Sequence, residues 1–239
     1  MDYFALLMDS LCLLVGHGVM HMVFISRLTG KKLKKWYFAV YFLLLGMIQF
    51  LSDRLALDGT LPVAVGVLAL YGLSRYGMGN QRSVSWLAAV LSYYISQLSF
   101  GIINSVEAAL FPRFIGSPLF YLLFLAAQLL FFVLCAGCYY AVLKLLAWTE
   151  DSQTPYIGLL LFPGLFFFAA ELYILHTAYS IFAPIISLEE VGRHSTLLLL
   201  QVMGLAALLC TLYAYRQLCR GFLAQAELQS LTQAAHEQK

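Results

Sequence analysis

The sequence predicts an all-α fold, a polytopic transmembrane helical bundle of about seven spans with a cytoplasmic C-terminal helix. Three observations carry that prediction. Hydrophobic residues make up 62% and charged residues 11% of the 239, with a mean hydropathy of +0.84. A soluble domain of this length covers itself with roughly 25% charged residues, so most of this surface is apolar, which only lipid tolerates. Apolar runs without strict alternation recur along the whole chain, the pattern of helices rather than of a barrel. Finally, Lys and Arg concentrate in alternate loops.

A helix crossing the hydrocarbon layer needs roughly 17–25 apolar residues. Seven windows meet or approach this, at about 3–25, 36–52, 60–75, 84–106, 117–144, 155–178 and 195–216. The first lacks a basic leader and carries Asp2 and Asp9, unlike a cleavable signal. The third is short and opens at Pro62, a residue suited to the first turn of a helix. The fifth is long enough to tilt or to emerge from the bilayer. Connecting segments of about 8–17 residues leave no room for a folded domain between spans. No internal repeat and no matched pair of broken helices stands out, so the inverted-repeat signature of many transporters is missing.

Charge placement sets the expected orientation. Arg27, Lys31, Lys32, Lys34 and Lys35 follow the first window, and Arg75, Arg82, Lys144, Arg216, Arg220 and Lys239 fall on the same side by alternation. That side holds 11 of the 14 basic residues, against Arg54, Arg113 and Arg193 on the other. The expectation is a multi-pass plasma-membrane protein with its N-terminus outside and C-terminus in the cytoplasm. Trp36, Trp86 and Trp148 fall at expected cytoplasmic helix ends, where indoles anchor. The hairpin Gly30–Trp36 would contact anionic inner-leaflet lipid, with setting the topology as its simplest role. A net charge of +2 gives no case for nucleic acid.

Beyond Arg220 the composition changes to Ala, Gln, Leu and Glu without Pro, which favours helix. Ala224, Leu228, Leu231, Ala235 and Gln238 recur at steps of four and three, as on a coiled-coil seam. A solvated helical tail is the plainer reading of so short a run. The division is therefore a membrane domain, residues 1–216, and a cytoplasmic signalling helix, residues 217–239. No helix-stop signal precedes Lys239, and the helix is expected to have been cut short there.

The spans, the Arg-flanked exit Tyr215-Arg216-Gln217-Leu218-Cys219-Arg220 and the helical run Glu227-Leu228-Gln229-Ser230-Leu231 resemble the membrane sensor region of GHKL-type bacterial sensor histidine kinases. The nearest group is the accessory-gene-regulator-like receptors that serve quorum sensing. The resemblance covers the whole chain as topology and is most specific at the juncture. It implies a two-component system, in which the exit helix leads to a dimerisation helix with a phospho-accepting His, an ATP-binding domain and a response regulator. Those kinase elements are not in this sequence, and the surroundings of His236 depart from the family pattern, so no catalytic residue is assigned.

Ionisable side chains inside a bilayer are functional candidates by default. Glu171, Asp9 and His176 are expected toward the outer side, where they would contact an extracellular small-molecule or peptide signal. Gln97, Asn104 and Glu107 lie on the fourth window. For each, an interhelical hydrogen bond is the competing reading. His17 and His21 share one helical face, but no His-Glu-x-x-His pattern accompanies them. His176 is expected at a different depth, so they read as packing histidines, with no metal and no cofactor expected. Cys135-Ala136-Gly137-Cys138 has redox or zinc spacing but lies in an apolar span, where small residues permit close helix approach. The five Cys read as small hydrophobes.

The resulting expectation is a homodimeric signal-receiving domain passing a shift of its last span to a cytoplasmic kinase module. The alternatives are a small transporter using Glu171 for proton coupling, or an integral membrane enzyme.

Overall fold

A computed structural model of the protein describes residues 15–55, 60–110, 114, 117–146, 166, 169–170 and 188–237. The described residues are helical and contain no strand. The principal helices are α1 (His17–Thr29), α2 (Lys35–Leu55), α3 (Thr60–Gly72), α4 (Arg82–Leu110), α5 (Leu119–Leu146) and α6 (Leu188–Glu237). Five of the seven apolar windows thus coincide with α2 to α6, and α1 takes up the second half of the first. The sixth window and residues 3–14 lie outside the described residues, apart from Phe166, Ala169 and Ala170.

Three described helical segments are long and apolar enough to cross a membrane: Arg82–Glu107, Leu119–Leu146 and Ser195–Gln233. Their surroundings differ. In α4, 72% of the apolar window is buried inside the protein, against 22% in α5. α4 packs against α1, α3, α5 and α6 and is the centre of the bundle. α5 turns Phe131, Cys135, Tyr139, Val142 and Leu146 inward at steps of three and four, while Leu122, Leu129, Leu130 and Val133 face out. An uncovered aliphatic wall of this kind marks a surface meant for lipid or another protein. α6 does the same: Leu197, Gln201, Leu205, Leu208 and Leu212 are buried, and Leu199, Val202 and Met203 are exposed.

Small residues set the closest approaches. A side chain at Gly16 would strike the Phe132 ring, one at Gly18 the Phe42 ring, and one at Gly66 the Tyr93 phenol. These glycines let α1 sit against α5 and α2, and α3 against α4. Gly30 ends α1 in the left-handed region at φ 66°, which terminates the helix at low steric cost. α3 differs from its sequence reading at its end, where Leu73–Gly77 winds as a π-helical turn closed by the Met78 amide donating to the Leu73 carbonyl. Residues 217–237 continue α6 without interruption.

Candidate functional site

α1 carries two imidazoles one turn apart, and helical spacing turns both toward the bundle interior. His21 is 2% exposed, with ring nitrogens 2.8 Å from the Tyr41 hydroxyl on α2 and 2.7 Å from the Ser96 hydroxyl on α4. Ser96 Oγ also lies 3.1 Å from the Tyr93 carbonyl, to which it donates. A hydroxyl has a single proton, so Ser96 must accept from His21 Nε2–H. Nδ1 is then the acceptor and takes the Tyr41 proton. The hydrogen bonds run from the Tyr41 hydroxyl to His21, from His21 to Ser96, and from Ser96 to the Tyr93 carbonyl. Every polar atom of the neutral imidazole is satisfied, as burial requires.

Around this series lies a second layer. The Tyr93 ring sits 4.7 Å from His21 centroid to centroid. Tyr139 of α5 donates to the Ser92 carbonyl at 2.7 Å, and its ring stacks on Phe24 at 4.3 Å. His17 stacks on Phe131 at 4.6 Å and meets Phe100 edge-on at 5.6 Å, with its Nε2 buried and unpartnered. Between α4 and α6, Tyr94 donates to the Gly204 carbonyl at 3.0 Å and Ser105 to Gln201 Oε1 at 3.3 Å. These link the central helix to the one that leaves the bundle.

Such an arrangement clamps helices to one another. It brings no group of three or more His, Cys, Asp or Glu together among the described residues. Cys135 and Cys138 are free thiols, the first buried in the α4–α5 contact, consistent with a packing role.

Glu171, Asp9 and His176, the residues expected to contact a signal, lie outside the described residues, as do Cys12 and Trp148. Gln97 and Asn104 are half-buried on α4, away from the His21 series. His236 is exposed in the last turn of α6. Sequence reasoning reached His21 but missed Tyr41, Tyr93 and Ser96. One signal for them was present: Ser85, Ser92, Ser96 and Ser99 recur at steps of seven, four and three, and all are buried. A stripe of small hydroxyls on an apolar helix marks the face that other helices approach.

Among the described residues, fold and site together define a helical bundle with three helices long and apolar enough to cross a membrane, organised round a central helix and a histidine–tyrosine–serine hydrogen-bond series. Comparison with family models, with curated proteins and with solved structures finds no match for the chain.

Proposed function

We propose that the chain is the membrane-embedded signal-receiving domain of a two-component sensor histidine kinase of the GHKL type. In this reading about seven helices span the plasma membrane, the N-terminus is outside and the C-terminus is cytoplasmic. An extracellular signal contacts the outer ends of the helices, with Glu171, Asp9 and His176 as its polar contacts. The last span then passes the change to a kinase module and, through it, a response regulator.

The observation that supports this best is α6. At 1.5 Å per residue a helix of 50 residues is about 75 Å long, more than twice the roughly 30 Å hydrocarbon layer. Its first half is held by α4 and α5. From Gly221 to Gln233 every residue is exposed, so a shift or rotation imposed in the bundle is carried outward along an unbroken rod. A signal can bias that rod only by its differential affinity for two packings of the bundle. Leu228 and Leu231, at 68% and 65% exposure, lie on the three-four seam. A second copy held parallel in the same membrane would bury them, which supports a homodimer.

The test joins the full chain to a sensor-kinase catalytic region and inserts one to four alanines between Arg220 and Gly221. Each insertion rotates the distal helix by about 100° relative to the bundle. Autophosphorylation in vesicles should rise and fall with the helical period. A response independent of insertion number would exclude transmission through α6.

A further inference from the structure

The connection between α1 and α2 and that between α3 and α4 meet on one face. Tyr37, in the first turn of α2, donates its hydroxyl proton to the Gly77 carbonyl at 2.9 Å. Leu33 from the first connection and Met78 from the second pack into the same apolar cluster with Tyr37, Tyr41 and Leu73. Both backbones are braced from within. Ser26 donates to the Lys31 carbonyl at 2.7 Å. Across the second connection, the Asn80 side chain donates to Ser74 Oγ at 3.1 Å, and Arg75 donates to the Asn80 carbonyl at 2.6 Å.

What this braced surface presents is cationic and aromatic. Arg27, Lys31, Lys32, Lys34, Lys35 and Arg82 are all exposed. With Arg75 they are half of the chain's 14 basic residues, and no acidic residue occurs in 26–36 or 73–86. Tyr76 is 82% and Trp36 49% exposed at the same rim, and Trp86 stacks on Tyr71 beneath it. The connections are only residues 30–34 and 78–81, too short to project far from the helix ends. The cations therefore stand at the depth where headgroups lie, with amphipathic rings beside them as at a membrane interface.

We propose that these two connections form one composite binding surface for anionic phospholipid headgroups. This goes beyond a hairpin that sets topology, because Arg82 and Tyr76 come from the other connection, more than 40 residues along the chain. It is independent of the kinase reading. A Lys or Arg at an anionic surface favours association by about fivefold, so several acting together select anionic over zwitterionic lipid.

The test uses the full chain in phosphatidylcholine vesicles, with Trp86 and Trp148 replaced by Phe so that Trp36 reports. Brominated phosphatidylglycerol should quench Trp36 more strongly than brominated phosphatidylcholine at equal mole fraction, giving a relative association constant of about fivefold or more. The combined change Lys31→Gln, Lys32→Gln, Lys34→Gln and Lys35→Gln should lower that constant by much more than Arg82→Gln alone, which should lower it several-fold. Arg54→Gln, at the other end of α2, should leave it unchanged. Circular dichroism establishes that each variant is folded. Equal quenching by the two lipids, or an anionic preference undiminished by the four-lysine change, overturns the proposal. Preference insensitive to Arg82→Gln overturns the composite surface, and preference abolished by millimolar inorganic phosphate shows a free-anion site instead.

Discussion

His21 and Tyr41, twenty residues apart in the chain, meet at 2.8 Å across α1 and α2. That hydrogen bond belongs to a series whose directions are all determined by counting protons. Because Ser96 donates to the Tyr93 carbonyl, the imidazole has one tautomer available, protonated at Nε2.

We predict that tautomer directly. In protein labelled with nitrogen-15 at histidine, the His21 ring should show a protonated Nε2 and a bare Nδ1. A proton at Nδ1 would reverse both imidazole hydrogen bonds and refute the assignment.

Removing the imidazole strands two partners. His21→Ala should destabilise the protein by about 1–3 kcal/mol, the usual cost of leaving buried polar groups unsatisfied; interhelical hydrogen bonds in membranes fall toward the lower end. Thermal unfolding in detergent measures it. A loss no larger than that of an exposed control such as Val19→Ala would show that the series contributes nothing.

Gly66 lies under the Tyr93 phenol so closely that a Cβ would collide with it. Gly66→Ala should therefore cost about 1–3 kcal/mol by overpacking. Tyr93→Ala removes the obstructing ring, so the double variant should lose clearly less than the sum of the two single changes. Simple additivity would mean that α3 and α4 are farther apart than described.

Tyr94→Phe deletes the donor to the Gly204 carbonyl and leaves the ring in place. Stability should fall by only about 0.5–1.5 kcal/mol. In the kinase fusion the same change should shift basal autophosphorylation, because it loosens α6 from the central helix. Unaltered output with the expected loss of stability would mean that this contact is structural alone.

For the proposed homodimer, single cysteines on the α6 tail in membranes, with Cys210 and Cys219 replaced by Ser, should cross-link at Leu228→Cys and Leu231→Cys. Ala226→Cys and Gln229→Cys, off the seam, should not. Uniform cross-linking, or none, would argue against a second copy there.

Much of this molecule was legible before any fold was known. The apolar windows anticipated the helices because hydrophobicity and length are properties of a continuous stretch. The helical tail was legible because Ala, Gln, Leu and Glu favour helix one residue at a time. Even the shared face of His17 and His21 followed from spacing alone. The partners of His21 did not. Tyr41 and Ser96 stand 20 and 75 residues away; nothing local distinguishes Tyr41 from the chain's other tyrosines, and the serine stripe marks the face of Ser96 without naming its partner. The same holds for Tyr94 and Gly204, which are 110 residues apart.

The amino-acid sequence by itself therefore determined helices long and apolar enough to cross a membrane, their approximate positions among the described residues and the uneven spread of charge, all sums over neighbouring residues. Only the tertiary structure decided that α4 is the centre, that Gly66 makes room for Tyr93, and that two short cationic connections form one surface. Those depend on which helix faces meet, and that is settled by shape and by hydrogen bonds satisfied across the whole bundle at once.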